Sequence, residues 1–197
     1  MNFLAHVFLA DFSPALRVGG LIGDFVKGPL PAALPPDLAA GVALHRAIDS
    51  YADRHPAFRA SRQRIGPLRR RWAGVLVDIY YDHLLASRWP EWHSTPLAAF
   101  SQRVYAECMT RLDVLPATSR PVLARMQAQD WLCSYAEPAV VATTFRRMAT
   151  RIARENPLAG AEEDLFAALP AFSADCDAFL DDARHFVADW LSASTTA

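Results

Sequence analysis

Aspartate and histidine side chains recur inside the most apolar segments of the N-terminal half of this sequence. In the run 73–86, which is apolar almost all the way round a helix, Asp78 and Asp82 lie four residues apart and share a face, and His83 follows directly. A buried carboxylate is costly unless it has a partner, and a divalent cation is an efficient one. The run therefore predicts either a cation site or salt bridges to arginines of neighbouring helices.

Three other segments repeat this pattern. His45 and Asp49 lie one turn apart on a predicted helix, His6 lies in an apolar first helix, and Asp24 lies in an apolar second one. Imidazole and carboxylate ligands suit manganese, iron, zinc or magnesium better than a thiophilic ion. We therefore expect the four segments to converge on one metal site, and we expect Asp53, near the end of its helix, to be solvated.

The same residues have structural interpretations. His6 would then be a hydrogen-bonded core histidine. His45 and Asp49 would be an ordinary pair of helix neighbours, worth only about 0.2–0.5 kcal/mol.

Arginine supplies almost all of the basic residues, and Lys27 is the only lysine. Six of the arginines cluster in one stretch: Arg59, Arg62, Arg64, Arg69, Arg70 and Arg71. The guanidinium group suits forked recognition of phosphate and carboxylate. The stretch therefore predicts a binding surface for an acidic protein or a nucleic-acid backbone, with a solvated helix face as the alternative. Arg46, next to His45, could reach a phosphoryl oxygen.

The bulk properties exclude several classes. A net charge of −1 argues against a surface built to neutralise nucleic acid. Three cysteines without a CxxC spacing indicate neither a disulfide framework nor a thiolate zinc site. Serine catalysis has no GxSxG or SxxK motif to support it. No leader is recognisable, and no apolar run approaches the roughly 20 residues of a membrane span. We expect a soluble cytoplasmic protein that binds neither membranes nor nucleic acid.

The elements that must position these residues are helices. Apolar residues recur at spacings of three and four, whereas alternating strand patterns with hairpin turns are missing. We predict an all-α, single-domain helical bundle over residues 1–191 and a frayed tail over 192–197. The predicted helices cover approximately residues 2–11, 13–27, 37–55, 57–65, 68–89, 95–112, 119–134, 138–155, 161–168 and 172–192.

Four motifs, in this order and at this spacing, resemble a known family. They are Met1 to His6 (MNFLAH), Gly20 to Gly28 (GLIGDFVKG), Gly41 to Asp49 (GVALHRAID) and Asp78 to Leu85 (DIYYDHLL). Together they look like the bacterial acyl carrier protein phosphodiesterases, also called acyl carrier protein hydrolases. The C-terminal half is similar to this family only in length and helical character.

The resemblance implies a divergent member of the HD class of phosphodiesterases, with an HD-domain-like helical fold. Such an enzyme uses a divalent cation, usually manganese, with magnesium, iron and zinc as alternatives. It cuts the phosphodiester between 4′-phosphopantetheine and a serine of holo acyl carrier protein, giving apo carrier and free 4′-phosphopantetheine. The adjacent His-Asp pair of the HD pattern is represented here only by the reversed pair Asp82-His83.

The resemblance also implies residue roles. Metal ligation falls to His6, Asp24, His45, Asp49 and Asp78, and catalysis to Asp24, Asp82, His83 and Arg46. Within this set Asp82 and His83 would either handle protons or hold the groups around the metal in position, and Arg46 would neutralise charge on the diester. Carrier proteins are acidic, so the stretch Arg59 to Arg71 would dock the carrier, with Arg69, Arg70 and Arg71 as its main contacts. Two alternatives stay open: a hydrolase of nucleotides or other small phosphodiesters, and a non-catalytic module that binds an acidic partner.

Overall fold

Proline lies at the start of many of the helices. The N–H groups of the first helical turn have no acceptor within the helix, so proline, which lacks an N–H group, is tolerated there. The computed structural model describes residues 2–195. Their helices are α1 Phe3–Leu9, α2 Pro14–Ile22, α3 Pro36–Arg54, α4 Pro56–Arg64, α5 Ala73–Ser87, α6 Trp89–Trp92, α7 Leu97–Met109, α8 Arg120–Gln129, α9 Trp131–Ser134, α10 Pro138–Arg151, α11 Glu162–Ala167 and α12 Leu169–Thr195. Short 3₁₀ helices cover Gly23–Phe25 and Pro67–Trp72. The described residues contain no strand, so the all-α prediction is confirmed.

Several predicted helices are shorter than expected, among them the second and the fifth. The second ends at Ile22, and a 3₁₀ turn carries the chain over Gly23–Phe25. The long helix predicted from Leu68 begins only at Ala73, because Pro67–Trp72 is a 3₁₀ segment. Within that segment the Arg69 side chain donates to the carbonyl of Pro157, far along the chain. Such tertiary contacts override local helix preference.

Helix α5 is the central helix, as its apolar sequence predicts. Val77, Tyr80 and Tyr81 are fully buried. The Tyr80 ring packs edge-on against Phe145 and Phe172. Because α5 contacts α1, α4, α10 and α12, its polar residues must face neighbouring helices or a cleft between them.

Helices α2 and α3 cross at unusually close range. A Cβ atom added to Gly19 would lie 2.5 Å from the Cα atom of Gly41, and one added to Gly41 would lie 2.7 Å from the carbonyl oxygen of Ala15. Only glycine at both positions allows this approach. The crossing brings the C-terminal end of α2 against the middle of α3, where His45 lies.

Helix α12 covers one side of the bundle, with contacts to α3, α4, α5 and α11. It continues to Thr195, beyond its predicted end near residue 192. Residues 196–197 of the predicted frayed tail lie outside the described residues. Among residues 2–195 there is no helix, α12 included, with the length and apolar character that a bilayer span requires.

Candidate metal centre

Two buried imidazole rings form the centre of the site. His6 from α1 and His45 from α3 are stacked, with ring centroids 3.7 Å apart and planes inclined by 17°. Only 1% of His6 and 3% of His45 is exposed. Two stacked rings at this distance cannot both carry a proton's charge without strong repulsion.

The orientation of His45 is fixed by glycines of the neighbouring segment. Its Nδ1 atom lies 2.8 Å from the carbonyl oxygen of Gly20, which can only accept, so Nδ1–H is the donor. The Nε2 atom is then the one that faces the carboxylates. A Cβ atom on Gly23 would lie 2.2 Å from Cγ of His45. Gly23 therefore provides the space in which the ring lies.

Aspartates surround the two Nε2 atoms. One oxygen of Asp49 lies 3.1 Å from Nε2 of His6, and the other lies 3.3 Å from Nε2 of His45. Asp24 places an oxygen 3.7 Å from the same His45 nitrogen. Ligand atoms of His6, His45 and Asp49 all lie within 4.8 Å of one another. This spacing allows all three to contact one cation.

The environment of the two ring nitrogens of His6 is one that a bound cation would explain. Both of its ring nitrogens are buried and lack a hydrogen-bond partner among the described residues. The approach of Asp49 to His6 is therefore an electrostatic contact without hydrogen-bond geometry. A buried polar nitrogen without such a bond is costly. A cation between His6, His45 and Asp49 would bind that nitrogen, and nitrogen and oxygen donors fit the metals expected from the sequence.

The pKa shifts show that the cluster favours one positive charge. Burial, and next the nearby His45, lower the pKa of His6 to about 3. Burial opposes protonation of His45 too, but Asp24 and Asp49 outweigh it and raise the pKa of His45 to about 9. Burial alone would raise the pKa of Asp49, yet contact with His45 and His6 lowers it well below its usual range. The carboxylates thus stabilise a cation at Nε2 of His45, either a proton or a metal.

The cluster opens into a cleft of about 310 Å³. Its lining residues are Asp24, Asp49, Ala52, Asp53, Phe58, Gly74 and Asp78. Burial raises the pKa of Asp78. Asp53 is exposed, as expected, and also lines this cleft. Its spacing of one further turn beyond Asp49 is the sequence signal that could have indicated this position.

Comparisons with known proteins identify the family. The family model for acyl carrier protein phosphodiesterase matches residues 1–183. The chain belongs to the acyl carrier protein phosphodiesterase family. The protein named acyl carrier protein phosphodiesterase from Photorhabdus laumondii is 32% identical over 84% of this chain and 84% of its own length. The protein of the same name from Escherichia coli O6:H1 is 32% identical over 84% of this chain and 86% of its own.

The family membership confirms the resemblance found in the four sequence motifs and makes the chain a member of a phosphodiesterase enzyme family. No solved structure matches the chain. The HD-domain-like character of the fold stays a prediction.

All five predicted metal ligands of this family member lie in one region. His6, Asp24, His45 and Asp49 meet at the stacked imidazoles, and Asp78 from α5 lines the adjoining cleft. The ion pairs that the structure shows at Asp24 and Asp49 are with these imidazoles.

Arg46 lies beside this region but points to the backbone. Its guanidinium donates to the carbonyl oxygen of Val26 at 2.9 Å. This bond ties α3 to the segment just after Asp24 and so helps to hold Asp24 in place. That Arg46 also neutralises a phosphodiester stays a prediction.

Asp82 is not among the residues that line the cleft. Its side chain is fully buried. Its two carboxylate oxygens accept hydrogen bonds from the backbone N–H groups of Leu4 and Ala5, at 2.8 and 2.9 Å. Burial raises the pKa of Asp82 to about 7, although these two N–H groups act in the opposite direction. Asp82 therefore caps the first turn of α1, the helix that carries His6.

His83 also lies outside the residues that line the cleft. Its Nδ1 atom lies 2.7 Å from the carbonyl oxygen of Tyr135, and burial lowers its pKa. The Asn2 side chain donates to the hydroxyl of the same tyrosine at 2.7 Å, and it makes no cap bond to α1. These contacts are those of positioning residues, one of the two roles expected for Asp82 and His83, and proton transfer by them stays a prediction. Spacing along α5 could not reveal which helix each would face.

The three arginines predicted to dock a carrier have different environments. Arg69 points inward, since its guanidinium donates to the carbonyl of Pro157 at 2.7 Å and to Asp164 at 3.1 Å. Arg70 is exposed and donates to the carbonyl of Ile65 at 3.0 Å. Arg71 is exposed and lies over the ring of Trp72. Arg69 is thus occupied by internal contacts and does not fit the predicted docking role.

The close packing of Gly23 against His45 is testable. We expect Gly23→Ala to lower the free energy of unfolding by about 1–3 kcal/mol, because the new methyl group displaces the imidazole ring. Urea denaturation measures the change. Gly66→Ala is the control, since a Cβ at Gly66 would meet nothing within 4 Å. Equal stability of the two variants would show that the His45 ring does not lie against Gly23.

The capping role of Asp82 makes a second prediction. Asp82→Ala leaves two buried N–H groups without an acceptor, each at a cost of about 1–3 kcal/mol, so we expect strong destabilisation in urea denaturation. Asp82→Asn keeps one acceptor oxygen and should lose less. A variant Asp82→Ala that is as stable as the wild type yet inactive would instead support the proton-transfer role predicted from the sequence.

Proposed function

We propose that this chain hydrolyses the phosphodiester between 4′-phosphopantetheine and the serine of holo acyl carrier protein, releasing apo carrier and free 4′-phosphopantetheine. We propose further that it uses a divalent cation, with manganese the expected one. His6, His45 and Asp49 would hold the cation, and Asp24 and Asp78 would complete its surroundings. The observation that carries this proposal is the pair of stacked, buried imidazoles beside Asp49, next to a carboxylate-lined cleft in a member of this family.

The charge of the cleft supports the need for a cation. Asp24, Asp49, Asp53 and Asp78 all line it. A phosphodiester carries a negative charge, and like charges at such short range repel strongly in a partly buried site. An anionic substrate therefore fits this cleft only when positive charge balances the carboxylates.

Contacts within the chain orient the side chains that would hold the cation. The Gly20 carbonyl holds the proton of His45 on Nδ1, so that Nε2 offers its lone pair. Asp49 places one oxygen toward each imidazole and so bridges the two. Asp82 holds the first turn of α1 and thereby the position of His6. When bound, the cation would polarise a phosphoryl oxygen and activate a water molecule.

Cation binding is the first test of this proposal. We expect protein stripped with chelator to bind about one Mn²⁺ per chain, measured by isothermal titration calorimetry. His6→Ala and His45→Ala should each weaken binding at least about 10- to 100-fold, because each removes a nitrogen ligand. The control is His185→Ala, at an exposed position of α12. Wild-type protein that neither binds manganese nor gains thermal stability from it would exclude the metal role.

The reaction itself is tested with holo acyl carrier protein and Mn²⁺, followed by intact mass. We expect the carrier to lose the mass of 4′-phosphopantetheine. Asp49→Asn should slow this loss by about 100-fold or more, because Asp49 contacts both imidazoles. Cleavage of a small phosphodiester without cleavage of the carrier would instead favour the alternative substrate class.

A further inference from the structure

A second, basic pocket adjoins the carboxylate-lined cleft. It has a volume of about 400 Å³ and is lined by Asp53, Arg59, Arg62, Gln63, Arg70 and Ala73. Asp53 also lines the cleft, and Ala73 is followed by Gly74, another cleft residue. The two cavities are therefore neighbours, one dominated by carboxylates and the other by guanidinium groups.

The guanidinium groups of this basic pocket are available to a partner. The Arg59 side chain makes no hydrogen bond or ion pair with the part of the chain that the structure describes. Arg62 pairs with Asp53 at 3.1 Å, but both side chains are largely exposed, at 41% and 71%. Exposed pairs of this kind are weak and exchange readily. The Arg70 guanidinium donates one hydrogen bond, from Nε to the carbonyl oxygen of Ile65.

Other arginines of the same stretch are committed elsewhere. Arg64 pairs with Asp175 of α12, and Arg69 pairs with Asp164. Arg71, the remaining member of the cluster, lies over the ring of Trp72. The arginines that line the basic pocket beside the cleft are Arg59, Arg62 and Arg70.

The form of the pocket favours a protein surface over a small anion. Its arginines come from α4 and from the 3₁₀ segment Pro67–Trp72, and Arg59 and Arg70 are exposed. A site for one small anion would surround it with buried donors. Leu68, on the same 3₁₀ segment, is 72% exposed and offers an apolar contact beside the cations. Spread charges with an apolar neighbour fit an extended acidic surface.

We propose that Arg59, Arg62 and Arg70 form the docking site for carboxylate groups on the surface of the carrier, and that docking there places the phosphodiester over the neighbouring cleft. This inference rests on the proposed function, because the carrier is the acidic partner. It replaces the predicted set Arg69, Arg70 and Arg71 with residues that face one pocket.

The experiment measures binding of apo carrier, which has no phosphodiester, so docking is observed without catalysis. The test variant combines Arg59→Gln, Arg62→Gln and Arg70→Gln. The matched control combines Arg146→Gln, Arg147→Gln and Arg151→Gln, three exposed positions of α10 with the same change in charge. Calorimetry at low salt gives Kd for wild type and both variants.

We expect the test variant to raise Kd about 10- to 100-fold, while the control stays close to wild type. The difference should shrink as salt rises, because the contacts are exposed charges. Arg59→Gln alone, which breaks no internal contact, should weaken binding about threefold and guards against misfolding of the triple variant. Equal Kd values for test and control variants would overturn the docking site.

Cleavage of holo carrier by the same proteins separates the two proposals. Wild-type cleavage combined with equal Kd values would remove the docking site and leave the proposed function intact. Absence of wild-type cleavage of holo carrier would remove the proposed function, whatever the Kd values show.

Discussion

The packing of the His45 ring against the end of α2 is the constraint on which the site depends. The Gly20 carbonyl fixes the proton on Nδ1, and the absence of a side chain at Gly23 leaves room for the ring. Both contacts exist only because α2 and α3 cross closely at Gly19 and Gly41. A helix crossing made from glycines therefore determines which imidazole nitrogen faces the carboxylates.

Charge is arranged around that ring in two adjoining regions of opposite sign. Carboxylates gather at the imidazoles and along the cleft, whereas guanidinium groups line the neighbouring pocket. Asp53 and Arg62 pair where the two regions meet. The proposed substrate has an acidic body and one reacting phosphodiester. It would use both regions, with the guanidinium groups receiving the acidic body and a bound cation balancing the carboxylates where the bond is cut.

The sequence predicted the helices and most of the centre, because helical spacing alone fixes which residues share a face. His45 and Asp49 follow from their separation of one turn, and His6 from its place in an apolar helix. Spacing could not separate Asp78 from Asp82, which share a face of α5. Asp78 lines the cleft, whereas Asp82 meets the end of α1. Likewise only tertiary contacts, with Pro157 and Asp164, distinguish Arg69 from Arg70.

The contacts of Asp82 and His83 with neighbouring segments explain what this reversed pair does in the fold. Helix α1 has only seven residues and lacks a local side-chain cap, so it cannot hold His6 in place by its own stability. Asp82 supplies the missing cap from α5, and a carboxylate at a helix N-terminus is also favoured by the helix dipole. His83, the next residue, contacts the backbone carbonyl of Tyr135. Adjacent positions on a helix face different neighbours, so Asp82 holds the helix that carries His6 while His83 meets Tyr135, and the proposed metal ligands come from separate segments.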